Sequence, residues 1–206
     1  MIFRSFITSK KRNLMKTEFE IKFYPVDKKE LRKQIENIGG VCVLQETLMR
    51  RTIFYHPTNK DAYLRVRDEG SKITCTYKEI SSENLDINSV KEIELEISDY
   101  SSMIQILKNM GIKQKSVQET KREIWKINEE IEIMIDLWPG LDYFVEIEGN
   151  SEEIVKKYSE KLGFSWEEGI FGAIDQIYKK VYGVSEDIVN SCEEITFKKL
   201  PFSIKN

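Results

Sequence analysis

Glu18-Phe19-Glu20-Ile21-Lys22 is the stretch that decides how this 206-residue chain is read. In a β-strand alternate side chains share a face. Two carboxylates and an ammonium therefore point one way, and Phe19, Ile21 and Phe23 point the other. The pattern recurs along the chain. Leu64-Arg65-Val66-Arg67 sets two guanidiniums on one face, and Thr74, Thr76 and Lys78 align in the next segment. Glu92, Glu94 and Glu96 alternate with Ile93, Leu95 and Ile97. Ile131 to Leu137 reads Ile-Glu-Ile-Met-Ile-Asp-Leu, and Phe144-Val145-Glu146-Ile147-Glu148 repeats the acidic pair. A single such strand is accounted for by one solvated sheet face. Many of them, carrying Glu and Arg pairs with little polar filler, predict a charged cavity inside the sheet.

Clustered Arg and Lys neutralise phosphate oxygens, Arg through bidentate hydrogen bonds and Lys as a point charge. Clustered carboxylates hold hard divalent cations that keep part of their water and bind substrate phosphates. A cavity with both sets suits a metal-bound polyphosphate.

The same residues resemble the CYTH superfamily of triphosphate tunnel enzymes. Its Glu-x-Glu-x-Lys is matched by Glu18, Glu20 and Lys22, its Arg-x-Arg by Arg65 and Arg67, and its Thr-x-Lys by Thr76 and Lys78. The central Glu-x-Glu resembles Glu92 and Glu94, the late Asp resembles Asp136, and the terminal Glu-x-Glu resembles Glu146 and Glu148. The resemblance covers roughly residues 16 to 183 and implies an α+β fold, an eight-stranded antiparallel β-barrel with helices packed outside. It also implies that Lys22, Arg65, Arg67, Lys78 and Arg122 bind phosphates. Glu18, Glu20, Glu94, Asp136, Glu146 and Glu148 would hold one or two Mg²⁺ or Mn²⁺ ions, with Glu18, Glu20 and Glu148 as the catalytic carboxylates. The chain departs from the family twice. Thr120 stands where the Lys of a Lys-x-Arg pair is usual, so Arg122 alone is carried over, and Val90-Lys91 stands where many members have Arg. A weaker basic set would alter phosphate grip or substrate length.

Strand signals run near residues 17–25, 41–56, 62–69, 72–80, 89–97, 113–127, 130–138 and 143–149. Asp27 with Glu30 predicts a capped helix carrying Leu31 and Ile35, ended by Gly39-Gly40. Ser98-Asp99 opens a second helix with Met103, Ile104 and Leu107 inward, and Ser151 a third ending at Gly163. A fourth is expected over about Trp166 to Tyr182, with Gly169 and Gly172 weakening its first turn. Trp138 and Trp166 are expected in the core and Phe197, Leu200 and Phe202 as padding on the domain.

The organisation expected is a basic extension over residues 1–15, a tunnel domain over 16–183 and a tail over 184–206. Residues 1 to 16 carry +5 and the remainder −8, for a net charge of −3. The acidic body argues against nucleic-acid binding. No apolar run is long enough to span a membrane. Cys42, Cys75 and Cys192 lack the number and spacing of a disulfide frame or zinc site, which predicts a reducing cytoplasm. His56 stands alone and rules out histidine-based nucleophile triads.

Three functions follow: hydrolysis of inorganic tripolyphosphate, a nucleoside triphosphate or thiamine triphosphate; a class IV adenylyl cyclase; or a non-catalytic polyphosphate or nucleotide sensor. Hydrolysis is preferred, because it needs only a placed water, whereas cyclisation needs an adenine pocket that the sequence does not display. The expected partner is a small triphosphate, bound by a monomer or homodimer.

Overall fold

The computed structural model describes residues 15–80, 86–200 and 202. Eight strands, β1 (Lys16–Phe23), β2 (Val41–Tyr55), β3 (Ala62–Asp68), β4 (Ile73–Ile80), β5 (Val90–Ile97), β6 (Gln114–Ile127), β7 (Ile131–Leu137) and β8 (Phe144–Gly149), pair in the order β2-β3-β4-β5-β1-β8-β7-β6. Strand β6 then pairs back onto β2, so the sheet closes into an antiparallel barrel. Closure leaves no edge among these eight strands and gives each an inside and an outside face. A two-residue β9 (Glu194–Ile195) adds to β6 in parallel. Every expected strand is present, with boundaries shifted by two residues at most.

Most apolar residues of the alternation face outward, and helices cover many of them, while Leu95 stays exposed. Helix α1 (Lys28–Asn37) is capped by Asp27, whose carboxylate accepts from Glu30 N at 2.8 Å. Asp99 caps α2 (Tyr100–Asn109) and Ser151 caps α3 (Glu152–Lys161) in the same way. One core lies under α1 and α3 and contains Ile21, Leu31, Ile35, Ile133, Ile147 and Val155. A second, under α2, contains Phe54, Val66 and Leu107. A third lies at one end of the barrel, where Trp138 and Phe144 meet Ile177 and Tyr178 of α4 (Asp175–Tyr182), Val189 of α5 (Glu186–Asn190) and Ile195. The basic extension of residues 1–15 falls, but for Met15, outside the described residues.

The fourth helix departs from expectation. Its first half is a single 3₁₀ turn, Trp166–Glu168, and the α-helix begins only at Asp175. Between them Ile170 exchanges backbone hydrogen bonds with Lys22, at 2.8 and 3.0 Å. That bridge draws Gly169 onto β1, where an added Cβ would lie 2.2 Å from Ile21 Cδ1. Gly172 follows with φ +88°, a conformation that a helix cannot continue through. In the tail, Phe202 packs edge-on against Tyr178 and Tyr182 while Leu200 stays exposed. Trp166 packs on Phe171 outside the barrel.

Gly169→Ala is expected to lower unfolding stability by roughly 1–3 kcal/mol, because Ile21 is fully buried and has no room to swing aside. An unchanged urea midpoint would show that the approach of this segment to β1 is not tight.

Candidate functional site in the barrel interior

The inward faces enclose a cavity of about 540 Å³ lined by ten acidic and ten basic side chains. Buried charge is tolerated only when paired, and most of this lining pairs within itself. Lys22 Nζ lies 2.8 Å from Glu20 Oε1 and 3.0 Å from Glu146 Oε2. Lys78 Nζ lies 2.7 Å from Glu18 Oε2 and 3.8 Å from Glu92 Oε2. Arg65 reaches Glu94 at 3.2 Å and Thr76 at 3.1 Å. Arg122 grips Asp136 with two hydrogen bonds, at 2.7 and 2.5 Å, and reaches Glu146 at 3.2 Å. Arg67 turns instead to Glu69 in the β3–β4 turn, at 2.9 and 2.7 Å.

These contacts set the protonation states. Burial works against the charge on Lys22, but Glu146 and Glu20 outweigh it and raise its pKa. Burial likewise opposes the Glu146 carboxylate, which Lys22, Arg122 and Lys78 nonetheless hold far below the usual range. Burial also opposes the Arg122 charge, and Asp136 and Glu146 more than compensate.

All the phosphate- and metal-binding candidates line this one cavity, together with Glu92, whereas Thr74 and Thr76 are buried behind it and Glu96 is exposed outside it. They divide into two groups. Glu18, Glu20, Glu146 and Glu148 gather around Lys22 and Lys78, with Glu92 beside them. Glu94 and Asp136 are instead drawn to the guanidiniums of Arg65 and Arg122.

Within the carboxylate group, Glu148 has no ion-pair partner among the described residues. The strand register sets Glu20 opposite Glu148, and Glu148 opposite Glu132, in one row across β1, β8 and β7. Like charges directly opposite repel. Among the described residues no cation lies within ion-pair distance of Glu148. Burial, then Glu18, Glu20 and Glu146, raise its pKa to about 8, so it carries a proton at neutral pH.

Several lining residues were not legible in the sequence. Arg51 enters from β2, and its guanidinium lies 4.2 Å from the Trp138 ring centroid. The tail contributes too: Lys115 donates to Asn190 Oδ1 and Asn190 donates to Asp175 Oδ2, each at 2.8 Å, so α4 and α5 are tied across one end of the cavity. No motif spacing announces these residues, because they come from an irregular strand and two short helices. Thr120 donates to Leu137 O, and Lys121 lies outside over Phe197.

The described CYTH domain matches residues 16–173, which is most of the chain and all eight barrel strands. The chain belongs to the CYTH domain family. A Methanocaldococcus jannaschii protein, provisionally named an adenylate cyclase, is 33% identical over 143 residues, covering 68% of this chain and 81% of the relative. The solved structure of the PH1012 protein from Pyrococcus horikoshii is 26% identical with a TM-score of 0.62, covering 74% of this chain and 94% of that one. A Vibrio parahaemolyticus structure, also provisionally named an adenylate cyclase, shares the fold at 14% identity with a TM-score of 0.64, covering 80% of this chain and 98% of that one. CYTH family members are enzymes of triphosphatase or adenylate cyclase-like type, and triphosphate tunnel enzymes generally depend on a divalent metal. Among the described residues, no helix is long and apolar enough to cross a membrane.

Glu148 makes a signed pH prediction. Its folded pKa is raised, so the native state keeps a proton that the unfolded chain releases above about pH 4.5. Stability is therefore present at low pH within this window and falls as pH climbs toward 8. In metal-free buffer, Glu148→Gln should flatten that decline by roughly 1–3 kcal/mol between pH 5 and 8. Parallel slopes for the two proteins in urea titrations would remove Glu148 as the source.

Proposed function

We propose that this chain hydrolyses a triphosphate inside the barrel in the presence of Mg²⁺ or Mn²⁺. The observation that carries the reading is that one cavity holds both a carboxylate group with an unpaired acid and an arginine group, the two meeting where Arg122 reaches Glu146. The donor set fits a hard cation: Glu148 keeps a proton because it is buried and Glu18, Glu20 and Glu146 crowd it, and a divalent ion would replace that proton and satisfy the same charges. Among the described residues no three acids are yet gathered at metal-ligand spacing, since Lys22 and Lys78 sit among them.

Glu18, Glu20, Glu146 and Glu148 would hold the cation. Phosphate oxygens arriving at Arg65 and Arg122 compete with Glu94 and Asp136, which frees those two carboxylates to join the set. Lys22, Arg65, Arg67, Lys78 and Arg122 hold the phosphoryl chain and screen its charge. Bound metal supplies polarisation of the phosphoryl group and neutralisation of its developing charge. Glu20 and Glu148 face each other across β1 and β8, where they orient a water toward the terminal phosphorus. The water oxygen forms the new P–O bond, the bond to the bridging oxygen breaks, and Glu148 takes the proton. Orthophosphate and a diphosphate leave.

The M. jannaschii relative's provisional name favours a second reading, cyclisation of ATP by attack of its 3′-hydroxyl on the α-phosphate. Incubating the protein with tripolyphosphate, ATP and thiamine triphosphate, each with Mg²⁺ or Mn²⁺, separates the readings. Orthophosphate is expected. Cyclic AMP with pyrophosphate would replace hydrolysis by cyclisation, and tight binding without product would leave a sensor. Glu20→Gln should cut kcat by about 100-fold or more, and Arg65→Gln should raise KM about tenfold. Full activity in Glu20→Gln would sink the carboxylate assignment.

A further inference from the structure

Glu69 lies in the connection between β3 and β4, outside both strands, so no period-two signal selects it. The connection is held by its own backbone. Glu69 N donates to Lys72 O at 2.9 Å, Gly70 N donates to Asp68 Oδ1 at 2.9 Å, and Gly70 takes a φ of +81° that favours glycine. Glu69 is only 3% exposed, yet it borders the cavity.

A buried carboxylate needs donors, and Glu69 gathers three on one oxygen. Its Oε1 accepts from Arg67 Nε at 2.9 Å, lies 2.7 Å from Arg67 Nη2 and accepts from Thr74 Oγ1 at 3.1 Å. Lys72 Nζ stands 3.9 Å from Oε2.

This hold differs from that on the other two arginines of the group. Glu94 and Asp136, which pair with Arg65 and Arg122, stand within β5 and β7 and are drawn toward metal in the proposed reaction. Glu69 belongs to no strand and has no part in that set. It takes the Nε–Nη2 edge of Arg67, whose Nη1 makes no hydrogen bond among the described residues. The nearest other carboxylate, Glu94, is 3.8 Å from Nη2. A guanidinium is a rigid planar fork, so binding one edge fixes the direction of the next. Crowding by like charge makes such an anchor necessary. Burial, then the guanidiniums of Arg65 and Arg122, lower the Arg67 pKa, and Glu69 is the first carboxylate to oppose them.

We propose that Glu69 is a positioning residue: from the β3–β4 connection it anchors one edge of Arg67 and so presents the Nη1–Nη2 edge to the phosphoryl chain in a single orientation. The inference rests on the triphosphate reading above, and in it Glu69 contacts neither metal nor phosphate and acts through Arg67 alone.

The sign of the effect separates positioning from plain electrostatics. Glu69 is an acid beside a site for polyanions, so loss of its charge by itself strengthens anion binding. Positioning predicts the reverse, because the ligand must then immobilise Arg67 itself.

The test is a double-mutant cycle over wild type, Glu69→Gln, Arg67→Gln and the double variant. Calorimetric titration with tripolyphosphate and ATP gives Kd in metal-free buffer, hydrolysis with Mg²⁺ gives kcat and KM, and unfolding temperatures are followed for each protein. Glu69→Gln should weaken tripolyphosphate binding by about 5- to 20-fold and raise KM by a similar factor, with kcat within about threefold. In the Arg67→Gln background the same substitution should change Kd by less than about twofold, or tighten it. If Glu69→Gln does not fold, Glu69→Asp, which keeps the charge but shortens the reach, carries the same cycle. Equal or tighter binding by Glu69→Gln would overturn the proposal. An equal loss in both backgrounds would overturn it too, since a general structural role moves both alike. If wild type neither binds nor consumes tripolyphosphate or ATP, the triphosphate reading itself falls; if it binds them and Glu69→Gln matches it, only Glu69 falls.

Discussion

Charge inside a closed barrel must be neutralised from within, and the rest of this structure depends on that constraint. The strands turn most of their apolar residues outward, so the usual arrangement of a protein core is largely inverted and the hydrophobic clusters lie between barrel and helices. The interior then holds acids and bases in equal number. Pairing them holds the side chains in place, because removing one partner leaves an uncompensated buried charge. Lys22 between Glu20 and Glu146, and Arg122 on Asp136, are the clearest cases.

Among the lining groups that no ion pair holds, Glu148 and Arg51 differ most in chemistry and place. Glu148 keeps a proton in a row of three glutamates, and Arg51 rests on an indole with no carboxylate beside it. Each is a site where the empty protein carries a cost that a ligand of opposite charge relieves. A metal-bound phosphoryl chain has both charges in one species. Its arrival would exchange partners across the lining, guanidiniums moving from carboxylate to phosphate and carboxylates from guanidinium to metal. Net charge would change little, which keeps such an exchange feasible in a poorly solvated cavity.

The cavity ends are made differently from its walls. Strands supply the walls in strict alternation, while Asp175 and Asn190 reach one end from short helices held by Lys115. Trp138 belongs to both, as a wall residue beneath Arg51 and a member of the core beneath α4 and α5. The tail is thus coupled physically to the end of the cavity at which Arg51 stands.

The sequence by itself determined the strands, the three capped helices and the face on which most charged residues lie, because period-two alternation and capping are local rules. The same rules misjudged the segment after Gly163, where apolar spacing favoured one long helix. A backbone bridge from Ile170 to Lys22, distant in sequence, prevailed over that spacing. Glu123 shows the other limit: an acid in β6 that faces outward, fully buried beneath α1 and held by Arg32 and Trp125. Tertiary structure alone decided which charges pair, which stand without an ion pair and what closes the cavity end. Register between strands far apart in the chain sets those distances, and an ion pair is a property of distance between side chains rather than of either side chain's place in the sequence.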